Sequence, residues 1–259
     1  MRKSSTMKTI CRLQAAIVVM LGLVLSASTA LALTVSVSPQ EIPINLSYHG
    51  ANLVVTGTSA AGDELIVKIA SAPHDTLLKY KGKAAGLFWM KMGNMDFKNT
   101  PTVYLLSSTS KLGGLLSPAE RVQYTIGYPA LKERTEIESS MAEPDKDQWF
   151  DHFIQFKKKE RLYRIQEGTV TRQGGNYRLE TAWPYEAAPG TYTVQVLAVR
   201  DGKVVESAET SLEVARAGAV ATLSRLAFDR AAVYGIMALV VAMAAGFAVG
   251  SLFKGGGAH

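Results

Sequence analysis

The stretch Ala231–Phe253, AAVYGIMALVVAMAAGFAVGSLF, constrains everything else in this chain. It is uncharged and lies between Arg230 and Lys254. As a helix, about 23 residues rising about 1.5 Å each extend about 34 Å, enough to cross a hydrocarbon layer of about 30 Å. The preceding residues are therefore read as a body held at a membrane surface. Only Lys254–His259 follow.

The opposite end carries a second apolar run of a different kind. Met1–Arg12 is basic, Leu13–Leu25 (LQAAIVVMLGLVL) is apolar but too short for a comfortable span, and small residues follow through Ala32. This is the pattern of a cleaved secretory leader, residues 1–32, with Ala30-Leu31-Ala32 at the cut. Cleavage predicts Leu33 outside and, after one later span, Lys254 inside, in a bacterial inner membrane. The flanks oppose this weakly, since Arg225 and Arg230 precede the span and only Lys254 follows; early segments dominate orientation.

The leader also explains the charge. The chain has a net +6, with Arg2, Lys3, Lys8 and Arg12 at its start. Without these four, the 28 basic residues fall to 24 against 22 acidic ones, a net +2 that does not suit nucleic-acid binding. The single cysteine, Cys11, lies in the leader too, so the body has neither disulfide nor thiolate metal site.

Within residues 33–108, Thr34–Val37, Glu41–Leu46, Ala51–Thr58, Glu64–Ala70, Thr76–Lys81, Gly86–Met92 and Thr102–Ser107 read as short strands. Pro43 suits the second to a sheet edge, and Ala60–Asp63 and Gly93-Asn94 are turn signals. Residues 109–167 read as a helical insertion. Ser117-Pro118-Ala119-Glu120 has the N-cap, proline and glutamate of a helix start. Asp145–Gln166 predicts a longer helix with Trp149, Phe153 and Phe156 on one stripe and a basic second half, Lys157–Arg164. Strands return in 168–215, where Asp201-Gly202 joins a hairpin and Pro189–Val196 is typical of immunoglobulin-like modules. These last strands would form a small sheet needing a partner layer. Residues 216–230 are a linker, its end running straight into the 231–253 span, and 254–259 a cytoplasmic tail. The predicted fold is mainly β, an immunoglobulin-like antiparallel β-sandwich with a helical insertion and one C-terminal transmembrane helix.

Certain residues carry a resemblance: Ser38-Pro39, Ile42, Ile44, Gly50, Gly57, Gly86, Trp89, Phe97, Pro101, Tyr104, Pro189–Tyr192 and Tyr234-Gly235. In their order, with a leader, a β-rich body and a final span, the chain resembles a proteobacterial family of transmembrane proteins, the Alph-Pro TM type. Membership implies no reaction and no cofactor. It implies a place beside a permease of the sulfite-exporter (TauE/SafE) type.

Two constellations invite function. Ala238, Ala242, Gly246 and Gly250 recur every four residues along the span, a small-residue stripe on which a permease helix or a second copy could pack closely in lipid. Met90, Met92 and Met95 offer thioethers to Cu(I), with His49 or His74 to complete a site; core packing is the plainer use of such methionines. The basic run Lys157–Arg164 could touch anionic headgroups or simply be a solvated face. His49, His74, His152 and His259 have no paired spacing, and no nucleophile or phosphate-loop motif occurs. The expectation is a non-enzymatic, membrane-anchored accessory subunit of a permease, with a tethered periplasmic ligand- or Cu(I)-binding module as the alternative.

Overall fold

The computed structural model describes residues 32–84, 87–140 and 145–253. The expected leader, apart from Ala32, and the tail 254–259 lie outside these residues. The chain begins with β1 (Ser36–Ser38), β2 (Glu41–Ile44), β3 (Ala51–Thr58), β4 (Glu64–Ser71), β5 (Pro73–Ala84), β6 (Phe88–Pro101) and β7 (Tyr104–Ser108). Helices α1 (Leu112–Leu115), α2 (Pro118–Tyr124) and α3 (Tyr128–Arg134), strand β8 (Glu136–Ser139) and helix α4 (Lys146–Lys159) follow. Then come β9 (Tyr163–Gln166), β10 (Thr171–Gln173), β11 (Asn176–Trp183), β12 (Gly190–Arg200) and β13 (Lys203–Arg216), and finally α5 (Gly218–Asp229) and α6 (Ala231–Phe253).

The body has three layers. The first is a four-stranded sheet in the order β1-β3-β11-β10, and the second a six-stranded sheet in the order β2-β13-β12-β4-β7-β9. The alternation of β11 shows how the first is made: Tyr177, Leu179, Thr181 and Trp183 point inward while the residues between them face out. Between the two sheets lie Leu53, Val55, Val67, Val194, Val196 and Leu212, all essentially inaccessible. The central sheet buries its other face as well, through Ile66, Leu106, Leu197 and Val199. The third layer covers that face: helices α1–α4 and a three-stranded sheet β5-β6-β8. Phe97 of β6 stacks on Phe153 of α4 with centroids 4.5 Å apart, both fully buried.

Several expectations hold. Pro43 sits in β2, at an edge of the central sheet, where its missing N–H interrupts no ladder. Ser117 Oγ accepts from the Glu120 amide at 3.4 Å, opening α2. Asp145 Oδ1 accepts from the amides of Asp147 and Gln148 at 3.1 and 3.0 Å, opening α4.

Others are corrected. The long helix ends at Lys159 rather than Gln166. Arg161 takes a left-handed φ of 56°, the Leu162 amide donates to Lys157 O at 3.0 Å and the Arg161 amide to Lys158 O at 2.9 Å. This six-to-one closure terminates α4 and releases β9. The buried face of α4 is Phe150, Phe153, Ile154 and Lys157, while Phe156 is 42% exposed. Gly93-Asn94 makes no turn but lies inside β6, opposite Tyr80 and Lys79, with a register shift beside it at Tyr80/Lys81. The last four strands form no sheet of their own. β10 and β11 join β3, whereas β12 and β13 join β4, because the 184–189 corner carries the chain from one sheet to the other. Tyr192 secures that corner: its hydroxyl donates to Ala188 O at 2.5 Å and its ring meets Trp183 edge-on. Finally, α5 does not run straight into α6, because Arg230 (φ −136°, ψ 53°) leaves the helical region between them.

The two neighbouring phenylalanines of α4 separate core from surface. Phe153→Ala is expected to cost about 3–5 kcal/mol through the cavity it leaves, and Phe156→Ala no more than about 0.5 kcal/mol, in denaturant titrations of the full chain.

Candidate functional site

Helix α6 is the most exposed element of the molecule. Every described side chain from Ala231 to Ser251 is exposed, and among the described residues it is the one helix long and apolar enough to cross a membrane. Ala238, Ala242, Gly246 and Gly250 line up along it as the spacing requires, and a Cβ built on Gly246 or Gly250 meets no atom of the chain. The stripe is therefore free of the body. The Ala217 amide donates to Ile44 O at 2.9 Å, so the anchor leaves the sandwich beside the end of β2.

Met90 and Met95 sit in different surroundings. Met95 is fully buried in the core beneath the third layer, and Met90 is 51% exposed opposite Gly82. The side chain of Met92 lies outside the description. His49 follows β2, where its Nδ1 lies 2.5 Å from Ser47 O; His74 lies on β5. Among the described residues no three His, Cys, Asp or Glu side chains could hold a metal ion together.

The basic run is divided by the fold. Lys157 is only 5% exposed and lays its ammonium over the rings of Phe153 and Tyr163, 5.4 and 5.7 Å from their centroids. Burial pushes its pKa down. Lys158 covers Tyr128 at 4.7 Å. Arg164 reaches from the central sheet to the first, donating to Thr181 Oγ1 and Ala182 O, both at 2.7 Å. Arg161 alone of the arginines in the run stays exposed and unpaired among the described residues.

A cleft of about 340 Å³ escapes sequence reading altogether. Its polar lining includes Lys68 (β4), Asn99 (β6), Arg134 (α3), Gln195 (β12) and Glu209 (β13). Lys68 Nζ donates to Tyr124 O at 2.7 Å, at the C-terminal end of α2. Burial first, then Arg134, pushes its pKa down to about 8, with Glu209 acting the other way. Gln195 Nε2 donates to Glu209, and Gln195 Oε1 is buried without a partner. A convergent cation and an orphan acceptor give this cleft the means to hold a small polar molecule. The one sequence signal was a lysine inside the apolar strand ELIVKIA; its partners lie up to 141 positions away.

These features define the class: a mainly β body followed by one candidate membrane-spanning helix. A family model described as "Putative transmembrane protein (Alph_Pro_TM)" matches residues 32–255, and the chain belongs to that family. No curated protein and no solved structure matches it.

The lowered lysine has a pH signature. Between about pH 8 and the usual lysine value of 10.5, the unfolded chain binds a proton that folded Lys68 has released, so stability rises with pH across this window. Tyr104, Tyr163 and Tyr177, whose pKa values burial raises, oppose the rise only above their usual value of 10.0. Lys68→Met is expected to flatten the rise in denaturation midpoints measured from pH 7 upward.

Proposed function

We propose that this protein is a non-enzymatic, single-pass inner-membrane subunit whose β body stands in the periplasm and whose anchor docks onto a partner. The observation that carries this reading is the anchor itself: 23 residues with no charge and no described side chain packed on the body. An unpartnered helix of this kind takes its neighbours from lipid and from other spans, and the stripe Ala238, Ala242, Gly246, Gly250 is the face on which backbones approach most closely. A permease span is the partner the reading favours, ahead of a second copy. The basic, then apolar, then small-residue start of the chain supports an exported body and a cytoplasmic Lys254.

An immunoglobulin-like reading of the body is supported by its connectivity. The β2–β13 pairing is parallel, the remaining pairs around β12 and β3 are antiparallel, and the sheets hold β1-β3-β11-β10 against β13-β12-β4. Tyr192 bonding back to Ala188 O at the corner before β12 is a further mark of such sandwiches. Modules of this architecture serve recognition more often than catalysis, in keeping with a non-enzymatic role.

A second reading, a tethered periplasmic ligand-binding module, is favoured by the cleft around Lys68. Its Cu(I) form would have to do without Met95, which serves the core.

In-cell crosslinking followed by purification of the full chain in mild detergent is expected to recover a multi-span protein by mass spectrometry. Gly246→Leu with Gly250→Leu should abolish that recovery while leaving the body folded. Recovery of the chain alone or as its dimer, from wild type as from the variant, would refute the accessory role.

A further inference from the structure

One end of the sandwich is built differently from the other. The anchor leaves there: Arg216 pairs with Ile44, Val214 with Gly190, and Ala51 with Trp183. The 45–50 loop and the 184–189 corner meet at this end, with Tyr48 and Tyr185 stacked 5.6 Å apart. Leu46 is 79% exposed and Tyr185 56% exposed, an apolar and an amphipathic side chain left open to their surroundings. Beside Tyr185 a groove of about 380 Å³ is lined by His49, Arg161, Arg164 and Trp183. Arg161 has no partner among the described residues, and its left-handed backbone holds it at the α4–β9 turn. Trp183 is only 3% exposed, yet its Nε1 donor has no hydrogen-bond partner. An orphan donor and an unpaired guanidinium whose residues line one groove are groups that an anionic oxygen can satisfy.

Helix α5 follows directly from this end of β13. Leu223, Leu226 and Ala227 fall on one side of it, and Thr222, Arg225 and Asp229 on another. Phe228 is 82% exposed and Leu223 48%. The break at Arg230 frees α5 from the direction of α6.

We propose that the groove between His49, Arg161, Trp183 and Tyr185 binds the phosphate of an anionic phospholipid headgroup, with α5 lying in the interface plane beside it. This rests on the reading that α6 spans the bilayer. The body then stands on the membrane rather than hanging from a loose tether: Leu46, Tyr185 and Leu223 enter the headgroup layer, Arg161 pairs with phosphate, and Trp183 Nε1 donates to it. Only Ala217 separates β13 from α5, so the sandwich end has little freedom to leave the surface.

The test uses the full chain with Cys11→Ser and single spin-labelled cysteines, reconstituted in vesicles of phosphatidylcholine with phosphatidylglycerol or of phosphatidylcholine alone. Labels at Leu46→Cys, Tyr185→Cys and Leu223→Cys are expected to gain oxygen contact and lose contact with a water-soluble nickel chelate in the anionic vesicles. A label at Lys203→Cys, at the far end, should remain open to the chelate. Arg161→Glu, and Trp183→Phe, which keeps an aromatic ring in the core but removes the donor, should each reduce the shift at Leu46→Cys. Met243→Cys, within α6, reports the span separately. If Met243→Cys is shielded by hydrocarbon but Leu46→Cys and Tyr185→Cys behave like Lys203→Cys, the headgroup site is overturned while the span stands. Shifts at Leu46→Cys that Arg161→Glu and Trp183→Phe leave unmoved, in either vesicle type, would also overturn it. Chelate access at Met243→Cys would instead overturn the spanning helix on which the proposal rests.

Discussion

The two-sided burial of the central sheet is the constraint on which the body depends. Along β12, Val194 and Val196 enter one core and Leu197 and Val199 the other, so the strand tolerates water on neither face. The first sheet covers one side. The segments between β4 and β7, and between β7 and β9, supply the hairpin and helices that cover the other. The third layer is thus a structural requirement of the second, and the long excursions of the chain away from the sandwich return to it as its lid. The aromatic cluster of Phe97, Phe153, Tyr104 and Tyr163 fills that interface, with ring centroids 4.5–5.8 Å apart in successive pairs.

With no cysteine in the body, arginines tie its edges together. Arg172 donates to Ser59 Oγ at 3.0 Å and to Ala60 O at 2.7 Å, and also bonds Asp63 O, tying β10 to the loop after β3. Arg200 pairs with Asp63, whose side chain is 2% exposed, at 2.6 Å. Arg164 closes the opposite end by joining β9 to β11. Arg164 and Arg172 satisfy backbone carbonyls at the sheet openings, and Arg200 satisfies the buried carboxylate of Asp63. This distribution of cations also explains why the charge run in α4 is a poor guide to surface: Lys157 and Arg164 serve the fold, which leaves Arg161 to face outward.

Local signals in the sequence were legible where they needed no tertiary partner. The caps at Ser117 and Asp145, the Asp201-Gly202 hairpin, the edge character of Pro43 and the apolar span can each be read from a few neighbouring residues. What escaped reading depended on distant ones. The stop after Lys159 comes from a left-handed arginine where glycine is the usual signal, so the helical pattern appeared to continue. The stripe of α4 was rotated because Phe97 and Tyr163, which select the face, lie 56 and 10 positions from Phe153. Gly93-Asn94 looked like a turn but became strand because Tyr80 and Lys79 pair with it. The Lys68 cleft and the Arg161 groove each draw on several separate segments, which no local pattern announces.

The central claim is topological: the body lies on one side of a membrane and the end of the chain on the other. A membrane-impermeant maleimide applied to intact spheroplasts tests it most directly, using full-length Cys11→Ser chains with one cysteine at Asp151 or one at Lys254. The account predicts immediate labelling at Asp151→Cys and labelling at Lys254→Cys only after the membrane is permeabilised. Labelling of both positions in intact spheroplasts, or of Lys254→Cys alone, would contradict it.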